Sequence, residues 1–171
     1  MKRYGVVSFS GDTKAGAFYE QIHSGRKTLT LRERRKDGRP HVKPGHLFTM
    51  YWKVRDNREK PIHYIGMAEC VAYEAVKIVD HWNDEEFAKS DGFQDLEEFR
   101  DNWFPEWRTS PWIDDVIEAY EILKKEEYTV DEIIMRSGRA LGKSTIMEFL
   151  QLEYMMIKWK HPLVEKGSLH T

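Results

Sequence analysis

Residues 24–35, SGRKTLTLRERR, constrain the fold more than any other stretch of this chain. Gly25 stops the segment before it, and Thr28, Leu29, Thr30 and Leu31 then alternate polar and apolar, which is the period of a strand with one buried face. In such a strand Leu29 and Leu31 enter the core, while Thr28, Thr30 and Arg32 share the opposite face and line a groove or meet solvent. The same stretch is basic. It is therefore either a solvated edge strand or the floor of a site for a phosphate-rich or nucleoside ligand.

Charge along the chain is uneven, which bears on that choice. Residues 1–55 hold 13 Lys and Arg against 4 Asp and Glu, whereas the remainder holds 14 against 25, although the net charge of the 171 residues is only −2. A basic face beside an acidic one follows, either as two halves that neutralise each other or as an anion-binding surface from the N-terminal half. The single cysteine, Cys70, permits no internal disulfide, so a reducing compartment is expected. No apolar run approaches the roughly 20 residues needed to span a bilayer, and residues 1–12 are too poor in apolar side chains for a secretory signal. The expectation is a cytoplasmic protein with no membrane partner.

Periodicity outlines the remaining elements. Residues 2–10 read as a strand, and residues 13–23 as a helix with Ala15, Phe18 and Ile22 on one face. Residues 28–34 and 46–55 read as further strands, and residues 63–80 are long enough for two strands with a bend. Asn83 is expected to cap a helix, and residues 94–107 form another that Pro105 limits. Residues 112–123 fit both a helix, through Trp112, Val116, Tyr120 and Leu123, and a strand that closes a barrel; the strand is favoured. From Val130 onward two helices are expected, the second running through KSTIMEFLQLEYMMIKWK. Several short strands with one early helix suggest a small mixed barrel.

The order strand, helix ending at SGRK, strand TLTLR, followed by KPGHLFTMYW, YIGMAECVAYEAV and AKSDGFQDLEEFRDNW, resembles the ASCH domain of the PUA-like superfamily over about residues 2–124. The resemblance implies an α+β fold, a small mixed β-barrel with flanking helices in residues 1–124 and a helical extension in residues 125–171. It implies a cleft for RNA or a nucleoside or nucleotide; no cofactor and no metal are expected. In the hydrolytic members of that family a Lys and a Thr act with a downstream Glu, on acylated cytidine or on RNA. Lys27 and Thr30 match the first two places, and Asp91 stands where the Glu is expected. One methylene moves a general acid or base out of hydrogen-bond reach, so binding is the leading expectation and hydrolysis the alternative.

The residue chemistry is consistent with either. Lys27, crowded by Arg26 and Arg32, is a base or nucleophile if buried and a plain cation for phosphate if exposed. Arg26, Thr28, Arg32, Arg34, Arg35, Lys36 and Arg39 are the candidate nucleic-acid contacts, because Arg and Lys neutralise phosphates without sequence readout. Trp82, Phe93, Trp103 and Trp107 are candidates for base stacking, with core packing the favoured role.

Three other signals carry less. GRALGKST lacks one residue between its glycines for a phosphate-binding loop and follows a helix rather than a strand. His41 and His46 flank Pro44 and Gly45, so they form no helical metal pair. The two C-terminal helices have the outline of a helix-turn-helix with Lys143, Ser144 and Thr145 leading the second, an alternative DNA-binding site. Glu148, Gln151 and Glu153 make that second helix a poor major-groove face, so packing on the barrel or a homodimer contact is preferred.

Overall fold

The computed structural model describes residues 1–52, 63–137 and 142–164. Strand β1 (Arg3–Phe9) buries Val7 and Phe9 while Val6 and Ser8 are not buried, the expected alternation. A short ribbon follows, β2 (Asp12–Thr13) against β3 (Gly16–Ala17), and then helix α1 (Phe18–Ser24). The helix expected over residues 13–23 thus begins five residues late, because the chain first turns back on itself. Gly25 ends α1 in the left-handed conformation, and β4 (Leu29–Arg32) follows.

Strands β5 (Leu47–Trp52) and β6 (His63–Lys77) pair antiparallel, and residues 53–55 of the expected strand lie outside the described residues. The β6 strand is one element rather than two. Its register on the strand that follows in the sheet shifts between Cys70 and Ala72. A 3-10 turn (Ile78–His81) leads to α2 (Glu85–Ser90), capped by Asp84 rather than Asn83: the Asp84 carboxylate accepts from the Phe87 amide. Helix α3 (Leu96–Trp103), capped by Asp95, gives way at Pro105 to a second 3-10 turn (Pro105–Thr109).

Two expectations are overturned. Residues 113–123 form helix α4 (Ile113–Leu123) and not a strand. Ile113, Val116, Ile117 and Tyr120 recur at helical spacing and are all buried, whereas a strand would have put Asp114 and Glu118 on the same face as Val116. Then come α5 (Val130–Ser137) and α6 (Lys143–Gln151), but the second expected helix stops there, and β7 (Glu153–Trp159) follows as a strand. Its run Met155, Met156, Ile157 is buried on both faces, which a helix of this composition does not need and an interior strand does.

That strand reorganises the fold. The sheet order is β1-β5-β6-β7-β4, with β1 and β5 parallel and every other pair antiparallel. The sheet is therefore not complete within residues 1–124, and residues 125–171 are not a purely helical extension, because they supply the strand between β6 and β4. The chain is a mixed α+β fold. Helices α2 to α6 cover one face, burying Leu29, Leu31, Met156, Trp82, Phe99 and Phe149 among others. The other face buries Val7, Phe9, Phe48, Met50, Ile157 and Trp159, closed by Ile22 of α1 and by Val42.

This second face is concave. In a flat sheet β1 and β7 would lie about 14 Å apart, three strand spacings. Instead the Phe9 and Trp159 rings meet edge to face at 5.9 Å, and Phe48 meets Trp159 at 6.0 Å. At the rim, Arg32 of β4 donates through Nη2 to the Ser8 carbonyl of β1 at 2.7 Å and lies over the Phe9 ring. The two edge strands thus approach through a side chain, without a backbone ladder between them among the described residues. No helix among the described residues is long and apolar enough to cross a membrane.

Candidate functional site

Two of the expected site residues meet in the wall between α1, β4 and the turn after α2. The turn is fixed by backbone bonds: the Lys27 amide donates to the Gln21 carbonyl at 3.1 Å and the Thr28 amide to the Ser90 carbonyl at 3.0 Å. Lys27 then projects inward. Its Nζ donates to the Leu29 carbonyl at 2.8 Å, the Asp91 carbonyl at 2.5 Å and Asp91 Oδ1 at 3.1 Å, so all three ammonium protons have acceptors. Asp91 Oδ2 accepts from Trp103 Nε1 at 3.2 Å, and the Phe18 ring faces the ammonium at 4.6 Å.

This pair is dry. Burial pushes the Lys27 ammonium below its ordinary range, opposed by the Asp91 carboxylate, and burial pushes the Asp91 carboxyl up, opposed by Lys27. Gly92 completes the enclosure. At φ +99° it occupies the left-handed region, and a Cβ there would come within 2.8 Å of the Phe18 ring and 3.2 Å of Lys27 Cδ.

Thr30 does not join them. It projects from β4 on the face opposite Leu29 and Leu31, in one row with Ile157 of β7 and Tyr73 of β6. It is 6 % exposed, and its hydroxyl has no hydrogen-bond partner among the described residues. Lys27 and Asp91 are within hydrogen-bond reach of each other, while Thr30 belongs to the concave face.

The basic candidates divide in the same way. Arg26 is structural: its guanidinium donates to Gln21 Oε1 at 2.8 Å, the Phe93 carbonyl at 2.9 Å and the Lys89 carbonyl at 3.5 Å, tying α1 to the α2–α3 connection. Thr28 is half-buried and its carbonyl accepts from the Trp159 amide. Arg32 holds the rim. Arg34 pairs with Glu153 and Arg35 with Asp37, both in the open, and Lys36 and Arg39 are exposed with no side-chain partner among the described residues. The aromatic candidates sit in the helical layer. Trp82 and Phe93 are buried, while Trp103 and Trp107 are half-buried and donate to Asp91 and Asp101. Lys143, expected to lead a helix toward DNA, is held by Asp131 at 2.7 Å, and the turn before it lies outside the described residues.

One pair escaped the sequence reading. His41 lies beside Tyr73 at the rim of the concave face, its Nδ1 2.9 Å from the Tyr73 hydroxyl. Tyr73 faces inward only because the register shift after Cys70 changes which face odd-numbered residues occupy. An alternation count through residues 63–77 gives no sign of that change. Among the described residues, no cluster of His, Cys, Asp and Glu is placed to hold a metal ion. Comparison with known proteins assigns no family: no family model, no curated protein and no solved structure matches the chain.

Proposed function

We propose that this protein binds single-stranded RNA or another nucleotide-containing ligand at the open rim of the concave face, in a PUA-like barrel of the ASCH kind. The observation that carries the reading is Thr30, whose hydroxyl has no partner among the described residues and keeps solvent access, in the same β4 strand as Arg32 and just ahead of a basic loop whose Lys36 and Arg39 are exposed. An open hydroxyl can donate to or accept from a ligand oxygen, and exposed cations beside it suit a phosphate backbone. The curl that brings Arg32 to Ser8 supports a barrel-like closure. The ligand site moves accordingly from Lys27, which is sealed in the wall, to the rim.

Fluorescence anisotropy with short single-stranded RNA over a range of salt tests this. Affinity should fall with salt, and Lys36→Ala or Arg39→Ala should each lower the log–log slope by about 0.7, one phosphate contact on a single strand. Thr30→Val should weaken binding at unchanged slope. Absence of binding, or slopes that ignore the loop, rejects the reading.

Hydrolysis of acylated cytidine or RNA by Lys27, Thr30 and Asp91 draws on a single observation, the Lys27–Asp91 contact. Product release by the wild type that is lost in a folded Lys27→Ala protein would select it.

A further inference from the structure

The Tyr73 hydroxyl takes two contacts from one residue. Its oxygen accepts from the His41 backbone amide at 3.2 Å and lies 2.9 Å from the His41 Nδ1. A backbone amide only donates, and Nδ1 is the one acceptor for the Tyr73 proton among the described residues, so the tautomer that satisfies the hydroxyl has Tyr73 donating to Nδ1. The imidazole proton then sits on Nε2. Burial, with the charges of Arg32 on β4 and Arg35 on the loop, presses the ring toward neutrality against the opposing pull of Asp37.

Tyr73 holds the ring, and the packing around it holds the His41 backbone. The neighbouring Val42 is 0 % exposed in the concave core, and Tyr73 closes the side toward β6. On the β1 side Gly5, at φ +99°, lets the strand approach so closely that a Cβ would stand 2.2 Å from the His41 carbonyl oxygen. Yet His41 itself is only half-buried, and its Nε2–H has no partner among the described residues. A donor whose ring is set by Tyr73 on an anchored backbone, and which is left open at a rim, is arranged for something that binds there.

We infer that His41 is a specificity-determining donor that reads a hydrogen-bond acceptor on a nucleobase, a carbonyl oxygen or ring nitrogen, and that Tyr73 is its positioning residue. The inference rests on the proposal that RNA binds at this rim. A phosphate would instead favour the imidazolium, whose Nδ1–H would donate to the Tyr73 oxygen; burial and the Arg32 and Arg35 guanidinium groups oppose that charge, so the neutral base edge is the better match.

The test compares binding of short homopolymeric uridine and cytidine RNAs with an abasic ribose-phosphate chain of equal length, at fixed ionic strength. The wild type should prefer the base-bearing chains, and His41→Ala and Tyr73→Phe should each cut that preference about five- to tenfold, the worth of one hydrogen bond. Neither should change the salt slope. His41→Gln, which keeps an N–H donor, should retain part of the preference. Equal binding of abasic and base-bearing chains, an unchanged preference in both His41→Ala and Tyr73→Phe, or a His41→Gln protein no better than His41→Ala overturns the inference while leaving RNA binding in place. Failure of the wild type to bind any of these chains overturns both.

Discussion

The Lys27 ammonium stands 3.1 Å from the Asp91 carboxylate, with side-chain exposures of 1 % and 3 %. Removing one member of a buried ion pair strands the other, whereas replacing both by apolar groups removes the desolvation cost altogether. Asp91→Ala should therefore lower stability by about 3–5 kcal/mol, and Lys27→Met combined with Asp91→Leu should restore most of it. Urea denaturation of the single and double variants measures both. If RNA binding survives in the folded double variant, the pair serves the wall and not the ligand.

Gly92 gives a second stability prediction at the same wall. Ala there must adopt φ +99° and crowd Phe18 and Lys27. Because the native backbone is incompatible with a Cβ, Gly92→Ala should cost more than about 1 kcal/mol, rather than stabilise as Gly→Ala does at permissive sites. The midpoint of thermal unfolding reads the difference.

The His41 ring is a titration probe. Its folded pKa lies below the ordinary 6.5, so the unfolded chain binds the extra proton first as pH falls. The contribution of His41 to stability is therefore fully present above about 6.5 and is lost as pH drops through the window below it. Tyr73→Phe removes a hydrogen bond that favours the neutral ring, and NMR titration of the His41 resonances should show its pKa moving up in that variant.

Arg32 should matter more for the rim than for the core. Arg32→Met keeps the apolar stem against Phe9 but loses the bond to the Ser8 carbonyl, for a cost of about 1–2 kcal/mol. Hydrogen exchange should quicken first at the amides of β1 and β4, with the helical layer unchanged.

Much of this was legible in the sequence. Gly25 marked the end of α1, and the alternation of Thr28 to Leu31 assigned Leu29 and Leu31 to the core, where both are buried. What escaped depended on contacts distant in sequence. Residues 113–123 carry both a helical and an alternating pattern, and only the helical core into which Ile113, Val116, Ile117 and Tyr120 pack decides between them. Residues 153–159 look like the continuation of an amphipathic helix until β6 and β4 are placed on either side of them. The accessibility of Lys27 was equally invisible, because its burial depends on the turn after α2, more than 60 residues away. The His41–Tyr73 pair needed a bulge that no local periodicity announces.

The position of β7 has a consequence for how the molecule is made. Strands β4 and β6 have no direct pairing with each other, and the strand that joins them comes after all the other described strands in the chain. During synthesis both edges stay open until residue 159 has emerged, long after the basic strand and the long hairpin partner have left the ribosome. Any protein that shields β-edges has its target in that interval, and a chain released before residue 153 would expose two unpaired edges and seek the missing strand in another copy.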